Sequence, residues 1–90
     1  MITGNRHYLR QVDQQLRMTH DPEANAAFIY VVDDIAPGEV AQTRLLHHDT
    51  PHASVICHYD SEKRLLGIEL LGFSYLVPEA VVTRVDPNKG

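Results

Sequence analysis

The segment Val55–Leu71 constrains the fold more than any other part of this sequence. Two runs rich in apolar residues, V-I-C-H-Y and L-L-G-I-E-L-L, flank the polar stretch D-S-E-K-R, a pattern typical of a β-hairpin. A loop made of S-E-K-R places Tyr59 opposite Leu66 and Cys57 opposite Ile68. A shift by one residue would move polar side chains onto the apolar face, so this register is favoured. The apolar face that it creates consists of Val55, Cys57, Tyr59, Leu66, Ile68 and Leu70.

The opposite face of the predicted hairpin brings a histidine near a glutamate. His58 lies opposite Gly67, which has no side chain, and Glu69 is its diagonal neighbour. Diagonal neighbours lie about 7–8 Å apart, within reach of long side chains, and we expect open space above Gly67. The two residues form either a polar pair on a solvated sheet face or an acid–base or ligand-binding pair in a pocket. No catalytic residue is assigned, and catalysis by His58 and Glu69 stays the alternative.

Histidine is the other unusual feature, with 6 copies in 90 residues. Imidazole is a common metal ligand and a proton carrier near neutral pH. The densest group, H-H-D-T-P-H over residues 47–52, has none of the spacings typical of zinc sites, so no metal and no cofactor are expected. If this loop lies near the hairpin, the first residues to test as ligands are His52, His58 and Glu69.

The segment Ala26–Asp33, A-A-F-I-Y-V-V-D, predicts a strand with two apolar faces. Such a strand should lie inside the sheet and be covered on both sides, by a helix or by a second subunit. A chain of this length offers little material for two covering layers. We therefore expect a homodimer or a protein partner, with Phe28, Tyr30 and Val32 in the interface.

The remaining segments complete a small sheet. Leu16–His20 predicts a short strand, and Val40–His47 a mixed polar strand nearer an edge. Asn5–Gln15 is either a short amphipathic helix or a disordered extension. Ala80–Val85 is either a strand or one helical turn, and its β-branched residues favour the strand, followed by a tail. The predicted fold is α+β and mostly β, a small antiparallel sheet of four to five strands with one short N-terminal helix. It forms a single domain over 1–90, with an extension (1–15), a core (16–78) and a C-terminal strand or tail (79–90).

Composition and charge narrow the partners and the location. Net charge is −4 with histidine neutral, and no cluster of Lys and Arg appears, so nucleic acid and anionic membrane surfaces are not expected partners. No apolar run approaches the length of a membrane span, and the N-terminus lacks the apolar segment of a signal peptide, which predicts a cytoplasmic protein. Cys57 is the only cysteine, and we expect it to pack as a small buried apolar residue rather than act as a nucleophile.

Two motifs carry a resemblance to a known family. The first is H-D-P-E-A-N-A-A-F-I-Y, from His20 to Tyr30. The second is Y-D, a turn and L-G-I-E-L-L, which ends at Leu71 and is followed by Ser74. Together they resemble the domain-of-unknown-function 2283 family of small bacterial proteins, over residues 16–78. The resemblance implies a compact, mostly antiparallel β protein with no established activity, and some members are antitoxin-like in their setting.

This chain departs from the pattern of that family at three positions. Asn25 stands where aspartate is usual, His58 where aspartate is common, and Lys63 where glycine is usual in the turn. Either the acidic positions serve the function of the family, and it is altered here, or the chain is a specialised member.

These observations favour a protein-interaction or regulatory module without enzymatic activity, antitoxin-like in the sense that the resemblance implies. The negative charge would suit a basic partner. The alternative is a small enzyme or biosynthetic accessory protein that uses His58 and Glu69 for acid–base chemistry or ligand binding.

Overall fold

The computed structural model describes residues 15–46 and 50–85, and within them one five-stranded antiparallel sheet precedes two short helices. The strands are β1 (Arg17–Asp21), β2 (Ala26–Tyr30), β3 (Gln42–Leu46), β4 (Ser54–Tyr59) and β5 (Leu65–Leu71). The helices are α1 (Phe73–Leu76) and α2 (Glu79–Val85). Neighbouring strands lie in the order β1-β2-β5-β4-β3. The antiparallel, mostly β fold is confirmed, as are the inner position of β2 and the edge position of β3.

The hairpin of β4 and β5 has the predicted register for most of its length. The confirmed pairs are Val55–Leu70, Cys57–Ile68 and His58–Gly67. A β-bulge after His58 then pairs Tyr59 with Leu65, so the predicted pairing of Tyr59 with Leu66 is wrong. Leu66 is the additional residue on β5. Its side chain is buried, and its carbonyl accepts a hydrogen bond from the Val31 N–H at 2.9 Å, so the bulge connects β5 to the chain that leaves β2.

The turn of this hairpin is held by the buried carboxylate of Asp60. Its Oδ1 accepts hydrogen bonds from the N–H groups of Glu62 and Arg64, both at 2.9 Å, and Arg64 Nε donates to Oδ2 at 2.9 Å. The hydrogen bond from the Arg64 backbone is the largest cause that lowers the pKa of Asp60 below its ordinary value, while burial acts in the opposite direction. Lys63 completes the reversal in the left-handed region, with φ of 66°.

The C-terminal segment forms a helix where a strand was predicted. Ala80–Val85 lies in α2, so the prediction of a strand there is wrong. The Val81 N–H donates to the Pro78 carbonyl at 2.9 Å, and a proline beside the first turn favours a helix start. Glu79 in the first turn and Arg84 in the last turn suit the helix dipole. The preference of β-branched residues for strands is weak and depends on their surroundings, so it did not decide the element here.

The structure also adds two short helices that the fold prediction did not contain. Both described helices lie at the C-terminal end of the chain and not at the N-terminal end. The segment predicted as a helix or an extension, 5–15, lies outside the described residues except for its last residue, as do residues 47–49 and the predicted tail at 86–90. Among the helices of the described residues, none is long and apolar enough to cross a membrane.

The small apolar core lies on one face of the sheet, which we call the Phe73 face. The Phe73 ring lies 5.1 Å from the ring of His20, whose cross-strand partner is Ala27. Cys57 shares this face through the pairs that β5 makes with β2 and β4. The buried apolar side chains of the described residues are Ala27, Cys57, Leu66 and Phe73. Cys57 is therefore a core residue, as predicted.

Asn25 connects the turn between β1 and β2 to α1. Its carbonyl accepts hydrogen bonds from the N–H groups of Gly72 and Phe73, at 2.9 and 2.8 Å. Its side chain donates to Ser74 Oγ at 2.9 Å and accepts from the Ser74 N–H at 3.0 Å. Gly72 has φ of 73°, and a side chain there would collide with the His52 carbonyl, so the tight turn after β5 requires glycine. These contacts hold α1 on the Phe73 face.

Candidate functional site

The candidate site lies on the opposite side of the sheet, which we call the Phe28 face. Cross-strand partners point to the same side, so the partners of Glu69, which are Phe28 and Ile56, define it. The aromatic centre of the face is half-buried, whereas Leu45 is 69% exposed and Leu71 is 37% exposed. The side chains on this face are Arg17, Thr19, Asp21, Ala26, Phe28, Tyr30, Thr43, Leu45, Ser54, Ile56, His58, Glu69 and Leu71.

His58 and Glu69 form the contact that the predicted register allows. His58 Nε2 lies 3.0 Å from Glu69 Oε1, and His58 Nδ1 lies 3.0 Å from Thr43 Oγ1 on β3. A carboxylate only accepts hydrogen bonds, so Nε2 carries the hydrogen, and in the neutral ring Nδ1 accepts from the Thr43 hydroxyl. The side chain of His58 is 16% exposed and that of Glu69 is 36% exposed. A row of polar groups therefore joins β3, β4 and β5.

The space above Gly67 is filled, which corrects the expectation of an open space there. A Cβ at Gly67 would lie 2.6 Å from Cζ of Phe28 and 3.0 Å from the Ile29 carbonyl oxygen. The Phe28 ring stacks on His58 with centroids 5.6 Å apart, and it packs against Tyr30 with centroids 4.6 Å apart. The sequence of the hairpin could not predict this contact, because Phe28 belongs to β2 and reaches Gly67 only through the pairing of β2 with β5.

Arg17 of β1 places a cation beside the aromatic centre. Its guanidinium carbon lies 3.7 Å from the centre of the Tyr30 ring. Its Nη2 donates to the Asp33 carbonyl at 2.8 Å and lies 3.5 Å from Asp34 Oδ1. The sequence interpretation missed Arg17 and Asp34, which are separated by 17 residues and belong to no motif. The sequence signal that could have identified Arg17 is the alternation of side chains along β1. It places Arg17 on the same face as Tyr30, its cross-strand partner.

A cleft of about 370 Å³ lies between the aromatic centre and the connection from β2 to β3. The residues that line it are Phe28, Tyr30, Asp34, Ile35, Val40, His58 and Glu69. Its volume lies at the lower end of the range of about 300–1,000 Å³ that small-molecule sites occupy. The cleft therefore has room for one long side chain or a small molecule, against aromatic rings, aliphatic groups and two carboxylates.

His52 is not brought together with the other two predicted ligand-binding residues. It is exposed in the turn before β4, and its ring lies 5.2 Å from the ring of Tyr75. His58 and Glu69 line the cleft, whereas His52 does not. In the part of the chain that the structure describes, no group of three or more His, Cys, Asp and Glu residues is placed to hold a metal ion.

The three residues predicted for an interface are only partly neighbours. Phe28 and Tyr30 are in contact on the Phe28 face. Val32 lies beyond the end of β2, where its N–H donates to the Leu66 carbonyl at 3.4 Å. The interface prediction therefore concerns two residues on one surface and a third in the connection that follows.

The geometry gives no specific support to acid–base catalysis by His58 and Glu69. Both ring nitrogens of His58 are engaged, one by Glu69 and the other by Thr43, and the ring stacks on Phe28. A general base must reach the proton of a substrate directly or through one water molecule. The pair instead joins neighbouring strands and holds one oxygen of Glu69 at the cleft.

Comparison with known proteins identifies a family for this chain but no activity. A family model described as a protein of unknown function (DUF2283) matches residues 17–74, more than half of the chain. The match extends from the first residue of β1 into α1 and includes every strand of the described sheet. No curated protein and no solved structure matches the chain.

Proposed function

The chain belongs to the domain-of-unknown-function 2283 family, and from that premise we propose that it is a protein-interaction module that binds a partner protein through the Phe28 face. One observation carries the proposal. The two faces of the sheet differ, because the buried core lies on the Phe73 face, whereas the Phe28 face carries Leu45, which at 69% is the most exposed large apolar side chain among the described residues.

The exposed leucines of the Phe28 face lie on β3 and β5, with Ile56 of β4 on the same face between these strands. Leu45 pairs with Ile56, which is flanked by Glu69 and, beyond it, Phe28. Leu71 continues the same face along β5. Contiguous apolar surface with a polar rim is typical of binding sites, whereas isolated exposed leucines are ordinary. The partly buried aromatic rings at the centre are of the kind that contributes most to protein–protein binding.

We further propose that the module has a regulatory role in the cytoplasm. It would be antitoxin-like, in that it binds and neutralises a basic partner. The support for it is the net charge of −4 together with the resemblance to the family. Opposite net charges accelerate the encounter of two proteins and favour the correct partner over others of like charge.

The Phe28 face is also suited to bind a second copy of the chain. The homodimer predicted from the sequence would bury the same exposed leucines in a symmetric interface. Size-exclusion chromatography with light scattering distinguishes the two forms, because only the homodimer doubles the mass of the purified protein.

Two neighbouring leucines of β3 provide a matched test of the Phe28 face. Leu45 pairs with Ile56 and Leu46 with Val55, so their side chains point to opposite faces. They are 69% and 44% exposed. Leu45→Ser should abolish binding of the partner, measured by affinity capture of the tagged full chain from its native host, whereas Leu46→Ser should preserve it.

Thermal melts of both serine variants establish that each remains folded. Equal capture of the same partner by the two variants would count against the Phe28 face. A monomer that captures no recurring protein would count against the whole proposal.

A further inference from the structure

The cleft on the Phe28 face carries negative charge that its own residues do not balance. Asp34 and Glu69 line it, and its described lining includes no lysine or arginine. Arg17 lies 3.5 Å from Asp34, so that carboxylate has a permanent cation beside it. Among the residues that the structure describes, the hydrogen-bond partner of Glu69 is His58, which is charged only when protonated. The end of the cleft at Glu69 is therefore suited to an incoming cation.

The walls of the cleft supply apolar and aromatic surface beside these carboxylates. The rings of Phe28 and Tyr30 are tilted by 49° to each other, and Ile35 and Val40 lie on the connection between β2 and β3. Lysine and arginine combine an apolar stem with a charged head. Cations are attracted to the faces of aromatic rings. The cleft thus offers contacts to both parts of such a side chain.

The chain already binds one guanidinium group of its own between an aromatic ring and a carboxylate. Arg17 lies over the Tyr30 ring and beside the carboxylate of Asp34. At the other end of the cleft, Phe28 and Glu69 again place an aromatic ring beside a carboxylate, as direct cross-strand partners. There, within the described residues, no lysine or arginine contacts the carboxylate. The second combination repeats the chemistry of the first without its cation.

We propose that the Phe28–Glu69 end of the cleft binds the cationic side chain of a lysine or arginine that the partner protein presents. The inference rests on the proposed function and deepens it, because it states the chemistry by which the partner is recognised. A cation–π contact and an exposed ion pair together correspond to about a tenfold preference for the cation over a neutral side chain of similar length.

The test is an NMR titration of the labelled full chain with two small probes. N-acetyl-lysine methylamide carries the ammonium group, and N-acetyl-norleucine methylamide has an uncharged side chain of similar shape. The lysine probe should bind about tenfold more tightly, with the largest amide shifts near Phe28, Val40 and Glu69. Equal affinity of the two probes, or shifts confined to another part of the surface, would overturn the inference.

Variants locate the contact within the cleft. Glu69→Gln keeps an oxygen that accepts from His58 and removes the charge, so it should weaken binding of the lysine probe about fivefold. Glu79→Gln removes a carboxylate from α2, outside the lining, and should leave binding unchanged. Arg17→Gln releases Asp34 from its intramolecular cation and should tighten binding. The same affinity in Glu69→Gln and Glu79→Gln would overturn the inference.

This titration and the partner capture fail independently, because the probes require no partner protein. A cleft that selects lysine in a chain that captures no partner would contradict the proposed function alone. Capture that depends on Leu45, in a chain whose cleft does not distinguish lysine from norleucine, would contradict the present inference alone.

Discussion

The ring of Phe28 lies directly on the backbone of Gly67. A Cβ added to Gly67 would lie 2.6 Å from Cζ of that ring. Glycine in the interior of a strand normally costs about 0.5–1 kcal/mol relative to alanine, so its presence on the central strand has a specific cause. The cause here is the close approach of an aromatic ring from β2, which in turn positions His58 and the floor of the cleft.

Gly67→Ala should lower the free energy of unfolding by about 1–3 kcal/mol, because the added methyl group overlaps the Phe28 ring and forces it to move. In a Phe28→Ala background the same substitution should cost at least about 1 kcal/mol less, since the obstructing ring is absent. Urea denaturation of the four proteins of this cycle measures the coupling. An equal cost in both backgrounds would show that the ring does not rest on Gly67.

Asn25 combines a left-handed backbone, with φ of 52°, and two side-chain hydrogen bonds to Ser74. Asn25→Gly removes the hydrogen bonds and retains the backbone conformation, whereas Asn25→Ala removes both. Asn25→Ala should therefore be less stable than Asn25→Gly by about 1 kcal/mol. Asn25→Asp, the residue usual in the family, keeps an acceptor for the Ser74 N–H and should lie closest to the wild type. Thermal or chemical denaturation ranks the three, and an alanine variant as stable as the glycine variant would contradict the left-handed assignment.

Lys63 holds a left-handed conformation in the β4–β5 turn, with φ of 66°. Lys63→Gly should raise the free energy of unfolding by about 0.5–1 kcal/mol, because relief of backbone strain exceeds the entropy that glycine adds to the unfolded chain. Glu62→Gly is the control in the same turn, because Glu62 has no positive φ, and it should destabilise the protein. Chemical denaturation of both variants tests the difference, and stabilisation by both would point to a cause other than φ.

The lowered pKa of Asp60 makes the stability of the hairpin depend on pH. A carboxyl whose pKa is lower in the folded than in the unfolded state stabilises the protein above its ordinary pKa, and this stabilisation is lost as pH falls through the folded value. The wild type should therefore be more stable than Asp60→Asn near neutral pH, and the difference should shrink from about pH 5 downward.

Denaturation of wild type, Asp60→Asn and Glu23→Gln across this pH range measures the effect. Glu23 is exposed in the turn after β1, so its substitution controls for the removal of one negative charge. A difference between wild type and Asp60→Asn that stays constant with pH would contradict the lowered pKa.

Much of the sheet was predictable because strands leave a local pattern in the sequence. The alternation of side chains from Val55 to Leu71 determined which residues share a face, and with it the burial of Cys57 and the approach of His58 to Glu69. The same local information located the turn that closes the hairpin, but the predicted loop S-E-K-R is one residue too long, because the Asp60 N–H donates to the Arg64 carbonyl and Tyr59 pairs with Leu65. One family motif lies in this hairpin and the other in residues 20–30, and both fall within the matched range of residues 17–74.

The features that alternation did not predict depend on contacts between distant segments. The placement of β2 beside β5 brought Phe28 over Gly67, and the connection after β2 brought Asp34 to Arg17. Leu66 is the additional residue of a bulge, and its carbonyl accepts hydrogen bonds from the chain leaving β2, a contact that the hairpin sequence does not contain.

What the sequence determined by itself is the identity of the strands, the hairpin register as far as His58, and the pairing of His58 with Glu69. What only the tertiary structure decided is the filling of the space above Gly67, the cleft with its two carboxylates, and the helical state of residues 79–85. The physical reason is that alternation along a strand is a property of neighbouring residues. The choice of neighbouring strand, and the choice between helix and strand for a β-branched segment, depend on which surfaces and backbone groups remain free once the rest of the sheet has formed.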